Sequence, residues 1–541
     1  MGGIFAKEED PKPTTPPKPL PHLKPLADAL DGSLFAYGDD GYEAARLGQV
    51  WTPDKCQPGD GRKFSPETHP TETWNKDAAK LPAAIAQVAS VADVAACVRY
   101  CRAAKIPCGV ACGRHSHECL QQDSFVVDLQ ALRKCELGER QGVKVLRCEG
   151  GALNGDAYQA LDGSGLCITL GQHPGTGCGG LVQQGGHGIA EKVLGLSIDA
   201  LVECTVVTAD GATVKASSAE NADLFWALRG GCGNFGVVVE FVFEPKPFRQ
   251  MVPSLQRVHL PIPFLCPSRE ELVKHWRDNV ESAPRDVYPM MVCTPMPTIE
   301  VFHGVGDGAT LESLAAYESF GRPVVSERKE RDFFREISWD SLGPSSTDNL
   351  AGLYYPTASL LKEMPDEACR IVANAAKTCP ASATLILTPC GGAAAEVPKD
   401  ATAVYHRDVT FWIVAAAGWK ASTFRSEAAA REEAVAWARE LRDALMPYTV
   451  GRYGMLGEDA AQEKWGDAAD ANADPLTHAS WGANYTKLQQ IKAKYDPTNM
   501  FRLNHNIVPA AAPAAASPAK PKPRRSLSGR VLSALSPGKK K

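Results

Sequence analysis

Eight of the eighteen residues from Gly171 to Gly188 are glycine, in the run G-Q-H-P-G-T-G-C-G-G-L-V-Q-Q-G-G-H-G. Neither a helix nor a strand favours that density. Glycine is used where the backbone must take positive φ or come close to a ligand. Two shorter loops of the same kind flank the run: C-G-R-H-S-H at Cys112–His117 and R-G-G-C-G-N-F-G at Arg229–Gly236. Three such loops point to one polar, phosphate-bearing ligand cradled by backbone N–H groups.

The rest of the chain narrows the class. At 541 residues it is too long for a single core and predicts two domains or more. A net charge of −5 gives no electrostatic case for a nucleic-acid partner. No run of eighteen apolar residues predicts a membrane span. The N-terminus lacks the apolar core of a secretory signal, and Ala6 stands where a myristoylation signal needs Ser or Thr. The 17 cysteines include no C-x-x-C pair and several sit in apolar patterns, so they read as free thiols of a reducing, cytoplasmic compartment. The paired histidines of H-S-H at 115–117 lack partners at ligand spacing, so no metal is expected.

Taken in order, residues 1–40 are rich in Pro and Lys and read as a flexible leader. Ser90 caps a predicted helix whose apolar face carries Val94, Cys97, Val98 and Cys101. Strands are expected at 106–111, 125–129, 143–148, 165–170 and 237–243. A helix is expected at 154–161. A second helix, at 221–228, has Asn221 or Ser218 as its cap. Asp210-Gly211 between 201–208 and 212–215 signals a hairpin. The glycine loops do not fit the G-x-G-x-x-G pattern between a strand and a helix that a nicotinamide fold needs. Strands and helices then alternate from 246 to 474, the clearest helix being 427–445, with Pro447 just beyond it. A closing helix is predicted over 485–494, before Asp496-Pro497. Residues 510–541 read as a disordered basic tail.

Four segments together resemble the berberine bridge enzyme-like FAD-linked oxidoreductases, within the p-cresol methylhydroxylase (PCMH)/vanillyl-alcohol oxidase flavoprotein fold. They are V-A-C-G-R-H-S-H-E (110–118), the 171–188 loop, N-A-D-L-F-W-A-L-R-G-G-C-G-N-F-G-V-V (221–238) and Y-D-P-T-N-M-F-R-L-N-H-N-I (495–507). P-K-D-A-T-A-V-Y-H-R (398–407) adds a weaker match. The resemblance implies an α+β architecture: a two-lobed PCMH-type FAD-binding domain at 41–245, with its core at about 78–248, and an inserted antiparallel-sheet substrate domain at 246–474. A segment at 475–509 then returns to the FAD domain.

It also implies FAD as cofactor, bound covalently through His115. Arg114 stands where the family usually has glycine. His173 stands where many members have a second, cysteinyl tether, so no cysteinyl bond is expected. Backbone groups of Cys112, Gly113, Arg114, His115 and Ser116, and of Gly177, Cys178, Gly179 and Gly180, should hold the phosphates, with Cys178 lining the flavin pocket. Gly236 and Val238 should face the adenine side, and Asn504 should approach the flavin. Thr176 occupies a position said to gate oxygen, which favours oxidase over dehydrogenase. His187 replaces the family's partner tyrosine and is the first candidate for catalytic base. Tyr453, in Y-G-M-L, is the second. The implied activity is oxidation of a small organic substrate (sugar, alcohol or secondary metabolite) by hydride transfer to flavin, followed by reoxidation with O₂ or another acceptor. A same-fold lactone or 2-hydroxy acid dehydrogenase, or a lapsed flavin-binding protein, remains open.

Overall fold

A computed structural model describes residues 15–48, 80–116, 119–262, 266–337, 354–422, 425–451 and 480–511. Tyr453 and the residues beyond 511 lie outside these.

The first lobe is built on a four-stranded sheet in the order Ser33–Ala36, Ala84–Gln87, Phe125–Asp128, Cys108–Ala111. The last three strands run parallel, and the first pairs antiparallel to its neighbour. The helix Val91–Ala104 covers it, capped by Ser90 Oγ accepting from Asp93 N–H, with Val94, Cys97, Val98 and Cys101 buried. The second lobe is a five-stranded antiparallel sheet in the order Cys135–Arg140, Val143–Glu149, Val237–Phe243, Leu201–Val207, Thr213–Ser217. The Asp210-Gly211 hairpin forms as its sequence predicts, with Gly211 at φ +81°.

The third sheet has eight strands in the order Val325–Asp332, Met251–His259, Thr298–Gly304, Val287–Cys293, Thr384–Pro389, Phe411–Gly418, Tyr354–Leu361, Thr449–Gly451. All its neighbours are antiparallel. Alternation sends Leu385, Leu387, Phe411 and Ile413 to one face, where Trp276, Val372 and Ala434 of the helices Arg269–Ser282, Asp366–Lys377 and Glu427–Leu445 pack on them. Tyr288, Met290, Val292 and Val301 point the other way and join a core shared with the second lobe. This is the α+β architecture expected.

The closing helix Tyr485–Tyr495 shows why its motif has the form it has. The Lys492 ammonium is fully buried and donates to Asp496 Oδ2 at 2.7 Å, Asn234 O at 2.7 Å and Phe501 O at 2.8 Å. The Asp496 carboxylate also accepts from the N–H groups of Met500 and Phe501. One ion pair thereby turns the chain at Pro497 and lays residues 500–504 back on the first two lobes.

Three expectations need correction. Residues 15–40 are not a loose leader. Leu20, Leu23, Leu26, Leu30 and Leu34 pack on the first lobe, and Asp93 accepts from the N–H groups of Asp31 and Gly32 at 2.9 and 3.0 Å. Average composition concealed that leucine spacing. The strand expected at 165–170 is only Leu166–Cys167, paired with Lys246–Pro247. Asn221 precedes the helix Ala222–Leu228 but gives no side-chain cap, because its backbone is left-handed and its amide donates to Lys215 O at 2.7 Å.

Lys492→Met would leave Asp496 buried without a cation. The expected loss is about 3–5 kcal/mol, read as a lower urea midpoint. Lys494→Met, whose partner Asp223 is solvent-accessible, should cost less than about 1 kcal/mol.

Candidate active site

Two of the glycine loops meet backbone to backbone. A Cβ on Gly113 would lie 2.1 Å from Gly177 N, and one on Gly177 would lie 2.4 Å from Gly113 N. No side chain fits at either position. The third loop closes the same space: Gly236 sits at φ +146°, where a Cβ would strike Val207 O at 2.5 Å. Between the loops lies a cleft open to solvent. Cys112, Gly113, Arg114, His115, Ser116, Gly177, Gly179, Gly180, Gly236, Val238 and Asn504 all border it, so the structure brings these expected residues together.

Two of the expected residues are elsewhere. Cys178 does not border the cleft. Its N–H donates to Ala152 O at 2.8 Å and its thiol points into the core towards Asn154 Oδ1 at 3.7 Å. As the first residue of the helix Cys178–Gln183, its side chain falls on the helix's buried face. His187 does not border the cleft either. The turn at Gly185 and Gly186, with φ +116° and +79°, directs its Nδ1 to Glu191 Oε2 at 2.7 Å and its ring against Trp412, 5.2 Å away. His406 precedes the strand Phe411–Gly418, and its ring lies over Gly451.

His115 reaches the cleft beside Thr176, whose Oγ1 is 3.3 Å from His115 Nδ1. Its ring is 5.0 Å from that of His173. Burial, then the neighbouring His173, push the His115 ring well below its usual pKa. It is therefore a neutral imidazole, the form with a nucleophilic nitrogen. Burial takes His173 down to about 4. Burial also raises the Cys112 thiol to about 11, so it is no thiolate nucleophile.

Arg114 holds φ +54°, a conformation that suits glycine. Its side chain offsets that strain by pairing with Asp128 at 2.6 Å, both fully buried. Sequence reasoning did not find Gln183, Gln184, Cys232 or Leu503, which also line the cleft. The Gln183 amide donates to Gly179 O at 2.8 Å, and that of Asn504 to Cys232 O. The oxygens Gln183 Oε1, Gln184 Oε1 and Asn504 Oδ1 are buried without hydrogen-bond partners. The adjacent polar pair Gln183-Gln184 at the end of a short apolar helix was the signal available.

The 221–238 segment acts as a clasp. Trp226 Nε1 donates to Asp400 O at 2.7 Å, and Arg229 donates to Ala401 O at 3.1 Å. Arg407 then forks onto Asp199 at 2.8 and 2.9 Å. The 398–407 match is thus the strap that ties the eight-stranded sheet to the glycine loops.

A glycine-walled cleft, unserved acceptors on residues that line it and a neutral histidine at its edge suit a dinucleotide flavin, and together with the fold they define a PCMH-type FAD-binding protein. Residues 82–217 match the family model of the FAD binding domain, and 467–508 match that described as berberine and berberine like. An FAD-linked oxidoreductase of Dictyostelium discoideum is 26% identical over 448 residues, 81% of this chain and 91% of that one. (R)-6-hydroxynicotine oxidase of Paenarthrobacter nicotinovorans is 26% identical over 460 residues, covering 81% and 93%. The solved structure of a chitooligosaccharide oxidase superposes with TM-score 0.70 at 21% identity, covering 90% of this chain and all of that one. The chain thus carries an FAD binding domain and a berberine-like segment, and the relatives it is similar to are named FAD-linked oxidoreductases and oxidases.

Gly113→Ala should force the first two loops apart. The purified protein is expected to keep less than roughly a tenth of the wild-type flavin absorbance per chain, since an overlap this deep has no neighbouring side chain to yield. Gly138→Ala, where a Cβ meets open space, should leave flavin content unchanged.

Proposed function

We propose that the chain oxidises a small organic substrate, a sugar, an alcohol or a secondary metabolite, and that O₂ takes the electrons. FAD, when bound, supplies the hydride acceptor for a substrate C–H bond. The neutral His115 imidazole at the edge of the cleft carries this reading: it would hold the flavin covalently, which fixes the ring and raises its potential. No cysteinyl tether accompanies it, because Cys112 is held as a thiol and His173 occupies the second position. Backbone N–H groups of Gly113–Ser116 and Gly179–Gly180 would face the phosphates. Gln183, Gln184 and Asn504 would accept hydrogen bonds from the cofactor's donors.

Thr176 supports the choice of O₂. Its side chain is short and borders the cleft beside His115. His187 takes no part in this reading. Its ring is outside the cleft walls and its Nδ1 already shares a hydrogen bond with Glu191. Tyr453, outside the described residues, is the proposed acceptor of the substrate's O–H or N–H proton. The relatives include proteins named for a hydroxylated nicotine and for oligosaccharides, so those two chemistries are the first probes.

Photoreduced holoprotein mixed with aerated buffer should recover its flavin absorbance within seconds and release hydrogen peroxide. Thr176→Leu should slow that recovery by about ten-fold or more, the effect of a barrier about 1.4 kcal/mol higher. Recovery only with an added artificial acceptor would replace the oxidase by a dehydrogenase. Absence of bleaching by (R)-6-hydroxynicotine, chito-oligosaccharides and gluco-oligosaccharides would move the substrate outside both classes.

A further inference from the structure

The turn that carries His187 brings it to two other ligand-type side chains. Glu191 begins the short helix Glu191–Leu194, and Cys390 follows the strand Thr384–Pro389. One ligand atom from each of the three lies within 4.8 Å of the others. All three residues are buried, Glu191 at 1% exposure. Glu191 Oε2 accepts from the His187 ring at 2.7 Å and from Gly188 N–H at 3.4 Å. Glu191 Oε1 is buried with no hydrogen-bond partner.

A buried carboxylate is costly, by several kcal/mol, unless a cation or a full set of donors meets it. Among the described residues no lysine or arginine forms an ion pair with Glu191. The adjacent Lys192 sends its ammonium to Val287 O at 2.9 Å and Pro284 O at 3.4 Å. Arg407 is committed to Asp199. What stands beside the unserved oxygen is an imidazole and a thiol.

We propose that His187, Glu191 and Cys390 form a site for one divalent cation of borderline softness, with Zn²⁺ as the type. The donor set is one nitrogen, one carboxylate oxygen and one sulfur. Zinc takes these at about 2.0–2.1, 2.0–2.2 and 2.3 Å, whereas calcium and magnesium take oxygen. On loading, the ring proton that His187 Nδ1 shares with Glu191 moves to Nε2 by exchange with solvent, the ion takes its place, and the contact opens. The imidazole stays neutral by carrying its proton on Nε2. The Cys390 thiol releases one proton to solvent and binds as thiolate, and no electron moves. The loaded site would staple the 171–188 loop to the eight-stranded sheet at a point outside the flavin cleft. It therefore stands or falls independently of the oxidase reading.

The test uses flavin-containing protein stripped with a chelator, loaded with Zn²⁺ and desalted. Wild type should retain about one zinc per chain. Its X-ray absorption should show one sulfur at about 2.3 Å and the rest nitrogen or oxygen near 2.0 Å. Glu191→Gln and Cys390→Ser should each weaken Zn²⁺ binding by about ten-fold or more in calorimetry, the usual size for a lost ligand or its support. Cys266→Ser, a thiol at another place, should not. Flavin absorbance checks that each variant is folded. If a variant fails to fold, the absorption spectrum of wild type decides alone. Less than about a tenth of an equivalent retained, a zinc shell with no sulfur or with two, or unaltered affinity in folded Glu191→Gln and Cys390→Ser would overturn the site.

Discussion

Everything at the centre of this molecule depends on the contact between Gly113 and Gly177. Two backbones lie where a single Cβ on either would overlap the other chain. That contact sets the width of the cleft, and it fixes which way the loops leave it. One loop delivers His115 and the other Thr176, 3.3 Å apart. Arg114 follows from the same constraint. The chain must turn left-handed immediately after Gly113, and a buried pairing with Asp128 makes an arginine tolerable there.

The contact would be useless without structures that hold the other walls against it. The Lys492–Asp496 pair returns the C-terminal segment, bringing Phe501, Leu503 and Asn504 to the cleft. The Trp226–Arg229 clasp and the Arg407–Asp199 fork hold the eight-stranded sheet to the second lobe. In each case a charged or aromatic side chain is committed to a backbone carbonyl or a carboxylate of a distant segment. Such contacts order a site because their partners are otherwise unpaired in the interior.

Much of this was legible in the sequence. Glycine density announced the cradle, Ser90 its helix, Asp210-Gly211 its hairpin, and sheet alternation the third layer. These are local signals with local causes. What was not legible was direction and distance. Cys178 lies in the right loop, but helix geometry turns its thiol into the core. His187 lies in the right loop too, but two positive-φ glycines aim it at Glu191 and Trp412, away from the cleft walls. The closeness of Cys390 to that pair is set by tertiary packing, and no spacing rule contains it. The leucines at 20, 23, 26, 30 and 34 were present in the sequence but submerged in proline and lysine.

The central claim is that His115, at the edge of a cleft built from three glycine loops, is where FAD is held. Acid precipitation followed by proteolysis and mass spectrometry tests it most directly. The account predicts a pellet that stays yellow and a single modified peptide, beginning after Arg114, that carries the mass of FAD less two hydrogens on His115. Flavin released into the supernatant, or a modified peptide from the 171–188 loop in place of that one, would contradict it.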